Sequence, residues 1–376
     1  MIHKEGGSAI SELILFDRQC DLVTPLCSQL TYEGILDDVL HIKSGVVEVT
    51  KEVTGKQQNV KVSVNAKDPI YSRIRSLHFS SVPSFLSFDT RKLQDMYDKG
   101  KSSQSIPALK DFVQKLPELT KKHDSLATHL RVSEQIVRRK REGDFTRQLL
   151  FERAILEAAD RVQITEYIEE CIQRQVNFHI PLRLLCLMST TSNGIKPKYF
   201  LPLKQQYLHS YGHKHLSTFH NLQKMGLIRM ATDETLTQTS KTTFRQLAKQ
   251  LKLVPKDPSS YDVHLPKDMA YVFGGAYKPL SCAAIDHVVR TGGWRGLDDI
   301  VKSWSGPAFS YSQGTSQRMD TVLASQAHRV VLVYFIGGCT FSEINALRFL
   351  TEKTNCHYIV ATTNIIRADS LIDDLV

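Results

Sequence analysis

The sequence predicts an α/β protein whose parallel sheet is built from both chain ends, with a large and mainly helical domain inserted between. Three observations support this fold class. Apolar runs typical of buried parallel strands occur only near the two ends, and a long helical pattern with a seven-residue repeat lies in the middle. The net charge of +9 arises entirely from residues 61–250, which carry +13 against −4 elsewhere. A chain of 376 residues is long enough for two or three domains.

Three apolar runs have the composition expected of strands that lie between layers of helices. The first covers residues 13–16 and ends abruptly at Asp17, and the other two cover 330–336 and 357–360. Between the last two lies a stretch of helical periodicity at 340–353, so this region predicts a strand–helix–strand unit. The simplest arrangement places all three strands in one parallel sheet, from which the middle of the chain emerges as an insertion.

The insertion is predicted to be mainly helical. Its strongest pattern alternates spacings of three and four residues, which is typical of a helix packed along a long seam. The seam consists of Leu109, Phe112, Leu116, Leu119, His123, Leu126, Leu130, Ser133 and Val137. Pro117 lies within it, and proline removes a backbone donor, so we expect the helix to kink or break there. A second helix over 145–159 predicts an antiparallel hairpin with the first.

The rest of the insertion has a different pattern. Shorter helices are predicted at 181–188, 199–211 and 215–225, and polar loops at 231–260, with a short helix over 243–251, and at 305–326. The three helices resemble a winged-helix unit, so a basic, winged-helix-like nucleic-acid-binding protein is an alternative function. Residues 215–220 contain no Arg or Asn that could read base edges, and we therefore expect no nucleic-acid partner.

Patterns that would indicate an enzyme do not occur in the sequence. The Gly-Gly pairs at 274–275 and 337–338 are not followed by the Gly-Lys-Ser/Thr of a phosphate-binding loop, and there is no G-x-S-x-G motif. His209 and His213 have the spacing of two metal ligands on a helix, but no Cys or Glu completes the set, which favours solvated histidines. We predict no catalytic activity, no cofactor and no metal.

Cysteine usage and hydropathy indicate a soluble cytosolic protein. The seven cysteines form no C-x-x-C pair and lie mostly in apolar runs, as reduced core thiols do. No apolar run reaches the ~18 residues of a membrane-spanning helix. Residues 1–10 contain no pattern typical of a targeting peptide.

Two charged segments are candidate sites. Asp17, Arg18 and Asp21 follow the first strand, at the edge where α/β proteins place ligands, although a local ion pair and a capped turn account for the same residues. A basic run at the end of the long helix is a candidate surface for an acidic partner or an anionic membrane. The run consists of Arg138, Arg139, Lys140 and Arg141. Its alternative is a solvated helix end, where the helix dipole favours positive charge.

Five segments resemble, in order and spacing, those of the SM (Sec-one and Munc-eighteen) family of membrane-fusion proteins. They are FDRQCDLVTPLCSQLTYEGILDD at 16–38, KLPELTKKHDSLATHL at 115–130, PLRLLCLMSTTSNGIKPKYF at 181–200, DMAYVFGGAYKPLSC at 268–282 and FIGGCTFSEINALRFL at 335–350. The fourth is most similar to the vacuolar-protein-sorting thirty-three branch, and within it to the B form. The resemblance extends over nearly the whole chain.

The resemblance implies how the chain is divided and what it does. A split domain two would comprise 1–66 and 270–376, and domain three would comprise the helical hairpin part at 67–180 and a second helical part at 181–269. The implied function is non-enzymatic SNARE binding in vesicle docking, membrane fusion and endosome-to-lysosome protein transport. The implied setting is a tethering complex with a helical subunit of the VIPAR type. Such a protein is cytoplasmic and associates peripherally, through partners, with late endosome and lysosome membranes.

The resemblance also implies where SNARE proteins bind. The family's SNARE template lies on the helical hairpin, where Pro117, Leu119 and Leu130 match its positions and Leu126 lies on the same seam. The family also has an N-terminal α/β domain that forms one wall of a syntaxin-binding cleft. Because this chain starts almost directly at its first strand, we expect that wall to be lacking.

Overall fold

The computed structural model describes residues 10–51, 58–101, 106–142, 144–231, 243–255, 261–297 and 329–374. Its strands are β1 (Glu12–Asp17), β2 (Val46–Val49), β3 (Val60–Ser63), β4 (Arg329–Ile336) and β5 (Cys356–Thr362). Its helices are α1 (Tyr32–Leu40), α2 (Tyr71–Ile74), α3 (Val82–Lys101), α4 (Ile106–Glu142), α5 (Phe145–Leu156), α6 (Arg161–Gln173), α7 (His179–Ser192), α8 (Pro197–Tyr211), α9 (Leu216–Lys224), α10 (Thr243–Gln250), α11 (Leu280–Thr291), α12 (Phe341–Lys353) and α13 (Ala368–Asp373). Short 3₁₀ turns cover Arg18–Cys20, Thr24–Leu26, Phe79–Ser81, His213–His215 and Met269–Phe273.

The main sheet joins the two ends of the chain, as the sequence predicts. In the described part of the chain its strand order is β1-β4-β5, and both pairings are parallel. Phe16 lies opposite Phe335, with ring centroids 5.7 Å apart. Between β4 and β5 runs α12, which begins with a capping box in which Thr340 and Glu343 satisfy each other's backbone N–H groups.

One face of this sheet is more exposed than its composition predicts. The inward residues of β1, Ile14 and Phe16, are buried, whereas Leu13 and Leu15 are 59% and 62% exposed. Parallel strands normally have helices over both faces. Among the described residues, the apolar outer side of β1 has no such cover.

Two apolar clusters form the interior of the described chain. The larger joins the sheet to α6, α7 and α8 and to the segment 269–289. The smaller holds α1, the antiparallel β2–β3 ribbon and α2 against the long helices α3 and α4. The helical hairpin is therefore anchored to residues 30–74 rather than to the main sheet.

Most predicted elements have counterparts at nearly the predicted positions, including α10, which falls at the short helix expected over 243–251. The long helix α4 continues through Pro117 as one element. Its main packing partner is α3, which precedes it, and not the helix that begins at Phe145. The predicted loop at 305–326 lies outside the described residues. Of the predicted loop at 231–260, the structure describes residue 231 and residues 243–255.

All seven cysteines are free, and five of them are buried. Burial raises the pKa of Cys27, Cys186, Cys282 and Cys339 above the ordinary value for a thiol. These side chains are therefore inert thiols of the core. Among the described residues, no helix combines the length and the apolar character needed to cross a membrane.

Candidate functional site

The candidate site is the outer surface of the helical hairpin formed by α3 and α4. Near its tip, Gly100 of α3 lies against the ring of Phe112 on α4, and the Phe112 and Tyr97 rings are 6.3 Å apart. Further along, Lys122 of α4 lies 3.4 Å from the buried Asp89 carboxylate of α3. These contacts fix the register of two antiparallel helices, and α4 alone is about 55 Å long.

The seven-residue repeat of α4 separates into two rows with different surroundings. The inner row faces α3 and the smaller apolar cluster, and consists of Phe112, Leu119, Leu126 and Ser133. The outer row is offset by three residues and consists of Leu109, Leu116, His123, Leu130 and Val137. Leu126 is 6% exposed, whereas Leu130 is 50% exposed. The two rows would both be buried only if α4 had a second helical neighbour along its length.

A shallow groove crosses the outer row at Pro117. Its volume is about 570 Å³, and it is lined by Val113, Leu116, Pro117, Thr120, Lys121 and Asp124. Pro117 has no N–H to donate to the carbonyl of Val113, so the backbone is one hydrogen bond short at this point. Exposed Val113 and Leu116 beside Pro117 make this part of the groove apolar.

A second groove of about 410 Å³ lies between α3 and α4, toward the other end of the hairpin. Pro83 and Leu86 of α3 and Leu130 and Val137 of α4 form its apolar surface. Its remaining lining residues are Ser133, Glu134, Arg138 and Arg141. The two grooves lie along the same helix, so an amphipathic helix placed on the outer row could enter both.

The basic run does not form a single patch. Arg138 and Arg141, three residues apart, lie on the second groove. Arg139 donates to the Val39 carbonyl (3.4 Å), and the ammonium of Lys140 lies 3.8 Å from the centre of the Phe145 ring. Burial lowers the pKa of Lys140, although the nearby Asp38 carboxylate opposes this. Thus two members line the candidate surface and two help to hold α4 in place.

The predicted SNARE-binding residues divide between the two rows. Pro117 and Leu130 are exposed, while Leu119 and Leu126 are buried in the inner row. Sequence reasoning missed Val113, and it also missed Pro83 and Leu86, which α3 contributes to the second groove. The apolar residues of α3 at helical spacing were the signal for the latter two.

The charged residues after β1 form a structural network and not an open site. The Arg18 guanidinium donates to both carboxylate oxygens of Glu343 (3.0 and 2.9 Å) and lies 3.4 Å from Asp21. Asp21 also accepts backbone hydrogen bonds from Val23, Thr24 and Ser281. Burial would raise the pKa of Glu343, but Arg18 outweighs it and holds that pKa below its ordinary value. The predicted capped turn is present at Asp21, but the expected pairing of Arg18 with Asp17 is wrong: Arg18 pairs with Asp21 and Glu343, and Asp17 accepts from the Gln19 N–H (2.8 Å).

The winged-helix-like region has its apolar helix face in the core. Thr218, Phe219 and Leu222 of α9 are buried, and the His215 ring packs 5.1 Å from that of Phe178. The rings of His209 and His213 are 5.9 Å apart. Among the described residues, no group of three or more His, Cys, Asp or Glu side chains is arranged to hold a metal ion.

Comparison with known proteins gives matches over nearly the whole chain. The model of the Sec1 family matches residues 4–374. Vacuolar protein sorting-associated protein 33B of Danio rerio is 41% identical over 391 residues, covering 97% of this chain and 63% of that protein. The Homo sapiens protein of the same name is 40% identical over 390 residues, with the same two coverages. The chain thus spans 63% of the length of each of these relatives.

A solved structure shares the fold at much lower identity. The SM protein Vps45, in complex with the Qa SNARE Tlg2, superposes with a TM-score of 0.64 at 16% sequence identity. The match covers 96% of this chain and 59% of that one. The shared architecture is the parallel α/β sheet with its large helical insertion.

Proposed function

Since the chain belongs to the Sec1 family, we propose that it is a non-enzymatic SNARE-binding protein of vesicle traffic, and that an amphipathic SNARE helix docks on the outer row of α4. SNARE motifs are helices with apolar heptads, and a heptad helix needs a partner surface with the same repeat. The Vps45 structure, which contains a Qa SNARE, supports the same class of partner.

The observation that carries this proposal is the exposed outer row. Leu109, Leu116 and Leu130 recur at multiples of seven residues, and each is exposed on a helix whose inner row is already packed. A single exposed leucine is ordinary, but a periodic row with two grooves along it matches the helix-in-groove mode of recognition. Burying a leucine side chain against a partner contributes about 1.5–3 kcal/mol.

Charge at the edges of the grooves supports an acidic partner. Lys121 borders the groove at Pro117, and Arg138 and Arg141 border the second groove. Positive groups at a rim accelerate the encounter with an acidic helix more than they tighten the final complex. Asp124 and Glu134 also lie on these grooves, and they would favour basic residues at the matching positions of the partner.

Leu119 and Leu126 have a different role from Leu130, because they are buried and Leu130 is exposed. Both are buried in the inner row, so a SNARE helix would contact them only if α3 moved away from α4. In the closed hairpin their role is to hold α4 so that Pro117 and the outer row face outward. We place Pro117 and Leu130 in direct contact with the partner.

The finer assignment also belongs to the proposal. The similarity to the two 33B relatives supports a role in endosome-to-lysosome protein transport within a tethering complex. In that setting the chain would bind a helical VIPAR-type subunit and reach late endosome and lysosome membranes peripherally, from the cytoplasm. The split domain two at 1–66 and 270–376, with domain three at 67–180 and 181–269, is proposed on the same basis.

The test replaces one residue of the outer row with a charge. Leu130→Glu should weaken binding of recombinant SNARE motifs at least about tenfold, because an apolar contact is lost and a carboxylate is desolvated. Leu201→Glu is the matched control, since Leu201 is a similarly exposed leucine on α8, outside the hairpin. Affinities are measured by calorimetry, and circular dichroism checks the fold. If Leu130→Glu and Leu116→Glu both bind SNARE motifs like the parent chain, the outer row is not the docking surface.

A further inference from the structure

A cleft of about 360 Å³ lies away from the outer row, at the junction of several elements. Residues from α2, the 3₁₀ turn Phe79–Ser81, the segment 263–266, α12 and β5 line it. Basic side chains and hydroxyl groups are frequent in its wall, including Arg75, Arg348, His78, His264, Ser72 and Ser76. Glu352 is the one acidic side chain among the described residues that line the cleft.

Arg75 differs from the other arginines of this cleft because its side chain has no hydrogen-bond or ion-pair partner among the described residues. Arg73 pairs with Asp89 (2.5 Å), and Arg348 pairs with Glu33. No hydrogen bond or ion pair joins the half-buried guanidinium of Arg75 to any residue that the structure describes. Its charge and its donors are therefore available to a bound group.

His78 lines the cleft as a neutral ring that a local hydrogen bond holds in one orientation. The Ser80 N–H donates to Nδ1 of His78 (3.3 Å), so Nδ1 is the acceptor and the proton of the neutral ring is on Nε2. Nε2 is buried toward Gly274 and finds no acceptor among the described residues, so a molecule in the cleft does not reach it. Burial, together with the nearby His264, lowers the pKa of His78 to about 4, which keeps the ring neutral at pH 7.

Other side chains of the wall are already held in position. Arg348 donates to Asn345 (2.8 Å) in addition to its ion pair with Glu33, and His264 shares a hydrogen bond with Ser81 (2.8 Å). The His264 contact also ties the two sides of the cleft together, because the two residues are 183 positions apart in the chain. Preorganised donors lose little conformational entropy when a ligand binds.

We infer that this cleft binds a phosphate monoester, carried either by a soluble phosphorylated molecule or by a lipid headgroup. A phosphate group offers several acceptor oxygens and negative charge, which matches the unpaired guanidinium of Arg75 in a wall whose other basic groups are held in position. The volume is at the small end of the range for ligand sites, as expected for a compact anionic group.

Two probes distinguish the sources. Soluble inositol monophosphate is titrated by calorimetry, and phosphatidylcholine vesicles with and without phosphatidylinositol monophosphate are tested by flotation. Binding of the soluble probe without binding to the phosphorylated vesicles assigns a free ligand, and binding to the phosphorylated vesicles but not to plain phosphatidylcholine vesicles assigns a headgroup. In either case Arg75→Gln should weaken binding at least about tenfold. Arg91→Gln, which changes an exposed arginine outside the cleft, should leave it unchanged.

A variant that is expected to raise the binding affinity keeps the test independent of misfolding. Glu352→Gln removes the acidic group from the wall and should strengthen binding about threefold. The inference is overturned if neither probe binds, or if parent, Arg75→Gln and Glu352→Gln bind with the same affinity.

Discussion

Arg18 and Glu343, 325 residues apart in the chain, form a buried ion pair in which Nη1 of Arg18 donates to both carboxylate oxygens, at 2.9 and 3.0 Å. Arg18 follows β1, and Glu343 lies in the first turn of α12, where it also completes the capping box with Thr340. Burial would lower the pKa of Arg18, but Glu343 and Asp21 outweigh it and raise that pKa. The Glu343 carboxylate thus binds the segment after β1 to α12 and also caps the first turn of α12.

Removing this carboxylate should strongly destabilise the protein. Glu343→Gln leaves the Arg18 charge buried with weaker compensation, and we expect the free energy of unfolding to fall by about 3–5 kcal/mol. Urea denaturation followed by circular dichroism measures the change. The control is Glu157→Gln, which breaks the exposed Arg153–Glu157 pair and should cost less than about 1 kcal/mol. Equal losses in the two variants would contradict the role assigned to burial.

Gly100→Ala should destabilise the helical hairpin, although alanine is the better helix former. In an exposed helix the change would stabilise by about 1 kcal/mol. Here a Cβ would lie 2.1 Å from the Phe112 ring, so α3 and α4 must separate near their tip. We expect a lower melting temperature and faster hydrogen exchange in both helices. When Phe112 is already replaced by alanine, the ring is absent, and adding Gly100→Ala should no longer lower the melting temperature. If Gly100→Ala alone is more stable than the parent, the two helices do not approach so closely.

The stability of the protein should fall as the pH rises through the range from about 4 to 6, in part because of Asp37. Burial, with the charge of Asp38, raises the pKa of Asp37 to about 6. The folded state therefore holds a proton that the unfolded chain has released, and that contribution is lost as the pH rises above the folded pKa. Asp37→Asn keeps an acceptor for the Ile42 N–H (2.8 Å in the parent) and removes the titration.

Relative to the parent, Asp37→Asn should gain up to about 3 kcal/mol at pH 8 and nothing at pH 4. Denaturation curves at a series of pH values measure the difference. Asp95→Asn, at an exposed position on α3, is the control and should follow the parent throughout. A constant offset between Asp37→Asn and the parent would show that Asp37 does not titrate in this range.

Pro117→Ala should stabilise α4 by about 1 kcal/mol or more. Alanine restores the donor to the Val113 carbonyl, and Pro117 is exposed, so little packing is lost. Hydrogen exchange of residues 113–121, measured by mass spectrometry, should slow in the variant. Unchanged or faster exchange would mean that the surrounding structure already compensates for the proline.

The strands of the main sheet could be predicted because they are continuous apolar runs of strand length. The same composition suggested that both faces are covered, yet Leu13 and Leu15 are exposed among the described residues. Composition reports the character of a face and does not report which element lies on it. The β2–β3 ribbon was not predicted, although the alternation in VVEV and VKVS was a usable signal.

The long helix could be predicted from its repeat, but its environment could not. A seam of period seven is the same whether one helix or two pack against it, so the sequence did not separate buried Leu126 from exposed Leu130. The ion pair of Arg18 with Glu343 could not be predicted either, since a local partner for Arg18 was equally compatible with the sequence. Tertiary contacts between distant segments decided each of these points.

The pairing of β1 with β4 has a consequence for the kinetics of folding. On a ribosome that adds about 5–20 residues per second, the roughly 300 residues between these strands delay their contact by about 15–60 s. The helices of the insertion make mostly local contacts and have time to fold during that interval, while the β1 edge remains unpaired. The sheet should therefore close late, and its slow closure makes the nascent chain vulnerable to aggregation through that edge.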